Sequence, residues 1–115
     1  MEHAARGARA AGGLTIGLLP GENPDEASDY IDVAIATGLG HARNAILART
    51  ADGVVALGGG LGTLSEIALA LRNRRPTIGI QTWRFDRDRR TEPELPTAAN
   101  PEDALEWLFA RMDHP

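Results

Sequence analysis

Gly53-Val54-Val55-Ala56-Leu57-Gly58-Gly59-Gly60-Leu61-Gly62-Thr63-Leu64-Ser65-Glu66 decides the fold of this chain. Val54–Leu57 is a short unbroken apolar run, the pattern of a strand covered on both faces. Three consecutive glycines and a fourth at Gly62 then make a turn. Beyond it Leu64, Ile67, Ala68 and Leu71 recur at i, i+3, i+4 and i+7, which predicts a helix over Thr63–Asn73 with one apolar face. A strand, a glycine turn and a helix start leave free backbone N–H groups and the positive end of a helix dipole around one small space. An anion such as phosphate fits there, and glycine lets it approach the backbone closely. No Lys-Ser/Thr follows, so the segment is not a P-loop.

The flanking sequence repeats the alternation. Met1–Ala11 reads as a helix stopped by Gly12-Gly13, and Leu14–Leu19 as a strand with two covered faces. Pro24 to Asp29 reads as polar loop, and Tyr30–Ile35 alternates as a short strand. Thr37–Gly40 is a turn, followed by a helix from about His41 to Thr50 with Ala42, Ala45, Ile46 and Leu47 as its buried residues. Pro76–Ile80 is another strand, and Arg84 to Ala99 is the least structured stretch. The last helix has Asn100 as cap, Pro101 at its first position, Glu102 and Asp103 against the dipole, and Leu105, Leu108, Phe109 and Met112 on its inner face. Strands without a polar face that alternate with helices imply a parallel sheet with helices on both sides, whose ligands bind beyond the carboxyl ends of the strands.

The bulk numbers narrow the function. At 115 residues the chain has room for one small domain, and 43% hydrophobic residues allow a packed core. Aromatics are only 4%, so that core is built from Ala, Leu, Ile and Val. A net charge of −4 argues against bulk attraction to nucleic acid. Without cysteine there is neither a disulfide nor a thiolate metal site, and no His/Asp/Glu cluster has ligand spacing, so no metal site is expected. No apolar run reaches membrane-spanning length and no leader pattern opens the chain, which makes a cytoplasmic protein without a membrane partner the default expectation.

Two readings compete at Thr63 and Glu66. Thr63-Leu64-Ser65-Glu66 matches a capping box, which explains both residues without chemistry. Against it stands Arg43, a cation in the first turn of its helix, where the dipole disfavours it but where it can meet an anion or Glu66. His41 reads as a surface or capping residue, Asn44 as a helix-surface residue, and the Arg84–Arg90 charge run as a solvated one.

Gly58-Gly59-Gly60-Leu61-Gly62-Thr63-Leu64-Ser65-Glu66 resembles the Pro-Gly-Gly-x-Gly-Thr-x-x-Glu signature of the LOG family, lysine-decarboxylase-like Rossmann proteins, and Gly38–Ala45 resembles the arginine-bearing segment before it. With Leu14–Gly21 included, the chain looks most like the bacterial branch related to molybdenum-cofactor carrier proteins. The resemblance implies a Rossmann-like three-layer α/β/α fold with a mainly parallel sheet over residues 1–115. It also implies a phosphate cradle at Gly58, Gly59, Gly60, Gly62 and Thr63, catalytic roles for Arg43 and Glu66, and ligand contacts at Gly40 and His41. The activity it implies is hydrolysis of the N-glycosidic bond of nucleoside 5′-monophosphates. Its alternative is non-catalytic carriage of the molybdenum cofactor, as a bound ligand rather than a required cofactor, and a homodimer or higher oligomer goes with either. Gly58 stands where the hydrolase signature has proline, which resembles the carrier branch. The family's first strand, first helix and second strand have no counterpart ahead of Met1. In the family sheet those strands lie between the matches of Leu14–Leu19 and Val54–Leu57. An N-terminally truncated domain, unstable, self-associating or inactive alone, is therefore the third expectation.

Overall fold

A computed structural model describes residues 2–85 and 95–112. The chain divides into two compact units, Met1–Arg43 and Asn44–Pro115. Its strands are parallel throughout, but they form two two-stranded sheets, one per unit, rather than the single sheet expected.

In the first unit α1 (Glu2–Ala10) precedes β1 (Ile16–Leu19) and β2 (Val33–Ala36). Gly12, at φ 85°, ends α1 in the left-handed region, and Gly13 N–H returns to the Ala8 carbonyl at 2.8 Å. β1 and β2 run in register from Ile16↔Val33 to Leu19↔Ala36. Their crossover has no α-helix, only a 3-10 turn over Pro24–Glu26 capped by Asn23, whose Oδ1 accepts from Asp25 N–H at 2.9 Å. β2 starts at Val33 rather than Tyr30 because the preceding residues are spent on other bonds. Ile31 N–H returns to the Ser28 carbonyl, and Asp32 is tied to Thr15. Neither strand is covered on both faces: Ile16 and Ile35 are 58% and 45% exposed.

Thr15 and Asp32 staple the start of this parallel pair. The Asp32 carboxylate accepts from Thr15 N–H at 2.9 Å, and Asp32 N–H donates to Thr15 Oγ1 at 2.9 Å. The Thr15 hydroxyl itself donates to the Tyr30 carbonyl at 2.6 Å. Arg9 Nε approaches the Asp32 carboxylate at 3.4 Å, which ties α1 to the same point.

The second unit is the three-layer sandwich. β3 (Val54–Leu57) pairs in parallel with β4 (Thr77–Ile80), Val54 opposite Thr77 and Leu57 opposite Ile80. β4 is buried along its whole length. Because side chains alternate, Ala56 meets Ile67 of α3 (Leu61–Arg72) on one face, while Ile78 and Ile80 meet Ala104 of α4 (Pro101–Arg111) on the other. Burying a residue such as Ile67 completely stabilises the fold by about 1.5–3 kcal/mol. α2 (Arg43–Thr50) opens with the last residue of the first unit and continues into the second.

Several faces differ from expectation. In α2 the buried residues are Asn44 and Ala48, whereas Ala42, Ala45 and Ile46 are exposed and Leu47 is half-buried. A 3-10 turn over Gly40–Ala42 delays the α-helix to Arg43 and rotates its inner face. In α3 the inner face is Ile67 and Ala70 with Leu64 and Leu71 half-buried, and Ala68 faces out. In α4 Asn100 caps as expected, its Oδ1 accepting from Asp103 N–H at 2.8 Å. The inner face, however, is Ala104, Trp107 and Leu108, while Leu105 and Phe109 are exposed. Small Ala104 lets the helix approach the sheet, and Leu108 seats over Gly53, where an added Cβ would meet Leu108 Cδ1 at 2.7 Å. Leu95–Ala98 is also ordered against β4. Gly79 N–H donates to the Pro96 carbonyl, Ala98 N–H donates back to the Gly79 carbonyl, and Leu95 is buried. The charged residues 86–90 lie outside the described residues.

The hydrogen bonds from Thr15, with Arg9 adding to them, hold the Asp32 carboxyl below its usual range despite an opposing contribution from burial. A carboxyl depressed in the folded state stabilises it above its unfolded value, about pH 3.9, and that stabilisation is lost as pH falls through the folded value. Asp32→Asn should therefore lower the melting temperature at pH 7 and flatten its decline between about pH 4 and 2. An acid-melting profile parallel to wild type would show that Asp32 is not linked to folding.

Candidate functional site: the glycine cradle after β3

The turn leaving β3 begins with Gly58 at φ 86°, a conformation that favours glycine. Gly60 is the N-cap of α3, with φ −72° and ψ 163°, and the helix starts at Leu61. This replaces the capping box. Thr63 lies inside the first turn, and its hydroxyl donates to the Leu57 carbonyl at 3.3 Å instead of accepting from the helix. A glycine cap has no side chain to satisfy the helix donors, and the first intrahelical bond in α3 runs from Leu64 N–H to the Gly60 carbonyl at 3.1 Å. The N–H groups of Leu61, Gly62 and Thr63 precede that bond and have no partner within the helix.

The space in front of these groups is open. A Cβ placed on Gly58, Gly59, Gly60 or Gly62 meets no atom within 4 Å. Gly53 and Gly79 differ: there an added Cβ would strike Leu108 Cδ1 at 2.7 Å and Thr82 Cγ2 at 2.3 Å. Packing requires glycine at those two positions, while none of the described residues fills the space at the cradle positions. The arrangement can hold an oxyanion against unbonded N–H groups at the positive end of a helix.

The carbonyls of the turn are tied away by side chains. Thr82 Oγ1 donates to the Gly58 carbonyl, and Trp83 Nε1 donates to the Gly60 carbonyl at 3.1 Å. Asn44 Nδ2 reaches the Gly62 carbonyl at 3.5 Å. Asn44 is 1% exposed and its Oδ1 has no partner. It is no surface residue, and neither it nor the Thr82–Trp83 pair was singled out by spacing. A polar residue on the inner face of a short helix was the available signal, hidden because that face was placed on Ala45 and Ile46.

Glu66 stands one helical turn beyond Gly62 and Thr63 on the same side of α3, and its Cα–Cβ bond tilts toward the cradle. It is half-buried and makes no hydrogen bond or ion pair among the described residues. With the cap at Gly60, Glu66 has no capping role. The structure thus brings Gly58, Gly59, Gly60, Gly62, Thr63 and Glu66 together in the second unit.

Arg43, Gly40 and His41 belong to the first unit. Arg43 Nη1 donates to the Leu18 carbonyl at the end of β1, and its Nε is buried without a partner. Gly40, at φ 58°, donates its N–H to the Pro20 carbonyl at 2.9 Å, and His41 is exposed in the 3-10 turn.

The molybdenum cofactor binding protein of the phototrophic bacterium Rippkaea orientalis is 41% identical and superposes with a TM-score of 0.83 over 98% of this chain and 71% of its own. The molybdenum cofactor carrier protein of Chlamydomonas reinhardtii is 37% identical with a TM-score of 0.76, over 96% of this chain and 71% of its own. An uncharacterized protein of Archaeoglobus fulgidus is 47% identical over 81 residues, so the chain spans about half, 53%, of that curated relative. The α/β fold is therefore the Rossmann-like one that the resemblance implied. Residues 1–105 match the model of the SLOG cluster4 family, and the chain belongs to that family.

Proposed function

We propose that this chain binds the molybdenum cofactor, or a closely similar phosphorylated ligand, as cargo, with the phosphate held in the cradle at Gly58, Gly59, Gly60, Gly62 and Thr63. The observation that carries this reading is the open space before four glycines at the unbonded start of α3. Likeness to two proteins described as binding or carrying that cofactor supports the choice of ligand. The cofactor's phosphate suits backbone donors, which need no cationic side chain.

Gly60→Val and Gly62→Val test this reading. The backbone at Gly60 suits any residue and both positions face open space, so the fold should tolerate either change. Wild type, incubated anaerobically with cofactor released from a molybdoenzyme, should retain molybdenum and oxidisable pterin through gel filtration. The variants should lose at least about tenfold in retention, a cost of roughly 1.4 kcal/mol, at a nearly unchanged melting temperature. Equal retention would remove the cradle from the reading.

A second reading, hydrolysis of nucleoside 5′-monophosphates, is favoured by Glu66, a carboxylate one turn from the cradle with no partner among the described residues. Its charge would stabilise an oxocarbenium-like sugar. On this reading AMP is split to adenine and ribose 5-phosphate, and Glu66→Gln lowers turnover by about 100-fold or more without moving the melting temperature. If wild type releases no adenine from AMP, the hydrolase reading fails for that substrate.

A further inference from the structure

We infer that Thr82 and Trp83, on the segment leaving β4, are positioning residues that set the anion cradle before any ligand arrives. In a trans peptide the C=O of one residue and the N–H of the next point in opposite directions in a common plane. A bond that pulls a carbonyl back therefore turns the following N–H outward. Thr82 on the Gly58 carbonyl aims the Gly59 N–H, and Trp83, sharing the Gly60 carbonyl with the Leu64 N–H, helps to aim the Leu61 N–H. Thr63 on the Leu57 carbonyl does the same for Gly58, and the longer Asn44 contact does so for Thr63. Glycines bring no side chains to steady such a turn, so the order must come from neighbours.

The structure invests in the Thr82–Trp83 pair. Gln81 adopts φ 47°, an uncommon conformation for a residue with a side chain, and this turns the chain back toward the glycines immediately after β4. The Thr82 methyl lies over Gly79, where an added Cβ would sit 2.3 Å from Cγ2. That contact fixes the rotamer which presents the hydroxyl to Gly58. Trp83 packs against the core cluster of Ala56, Ile67 and Leu95 while its indole N–H reaches Gly60. The cradle is held by the same residues that close the core beside α3.

The role in binding rests on the cradle reading above; the ordering of the turn does not, so the test has two arms. Thr82→Val keeps the shape and removes the hydroxyl, Thr82→Ser restores the donor, and Trp83→Phe keeps most of the ring and removes the N–H. In ligand-free protein, ¹⁵N relaxation should give Gly59 and Leu61 order parameters of about 0.85 in wild type. In Thr82→Val that of Gly59 should fall toward 0.6 or below, and in Trp83→Phe that of Leu61. Thr82→Ser should recover rigidity at Gly59. Equal order parameters in wild type and variants of equal melting temperature would overturn the inference. In the second arm AMP is titrated by calorimetry. Each lost bond should weaken binding about five- to tenfold, with recovery in Thr82→Ser. Wild-type binding matched by all variants would also overturn the inference. Failure of wild type to bind AMP, with the ordering arm positive, counts against AMP as a ligand of the cradle and leaves the positioning role established.

Discussion

Planarity of the peptide group links what the turn after β3 gives away to what it offers. Each carbonyl from Leu57 to Gly62 that is tied back commits the next N–H to the opposite side. Leu57, Gly58, Gly60 and Gly62 all have their carbonyls bonded by side chains or by the helix itself. Tying back these four carbonyls turns the N–H groups that follow them the other way. A pocket lined by both would suit water; one lined by N–H groups at a helix start suits an anion.

That constraint reaches into the core. Trp83 holds Gly60 only because its ring is seated with Ile67 and Leu95. Thr82 holds Gly58 only because Gly79 leaves room for its methyl in the middle of β4. β4 itself is buried between α3 and α4, and Leu95–Ala98 closes over it. Packing glycines at Gly53 and Gly79 thus serve a different end from the cradle glycines. The first two let side chains come close; the others leave space that none of the described residues occupies.

Much of this was legible in the sequence. Val54–Leu57 was placed to the residue, the glycine turn and its helix were found, and Asn100-Pro101 marked the start of α4. What misled was local pattern taken without its surroundings. Thr63 and Glu66 have capping-box spacing, but glycine is an adequate cap and Thr63 had a carbonyl within reach at Leu57. Ala42, Ala45, Ile46 and Leu47 were expected inside α2, and Leu105 and Phe109 inside α4, whereas Asn44 and Ala48 are buried in α2, Ala104 and Leu108 in α4, and Ile46, Leu105 and Phe109 lie outside. The long-range ties from Asn44, Thr82 and Trp83 join positions 18 to 24 residues apart. No periodicity carries such pairs. In place of the single sheet expected, the described residues form two parallel pairs, β1 with β2 and β3 with β4.

The central claim is that the backbone of Gly58–Thr63 is where the ligand's phosphate is held. Titration of ¹⁵N-labelled protein with AMP, and in parallel with adenosine, addresses it amide by amide. The account predicts saturable downfield shifts confined to the N–H groups of Gly59 through Thr63 with AMP and absent with adenosine. Equal shifts with both ligands, or AMP shifts that leave these amides unmoved, would contradict it.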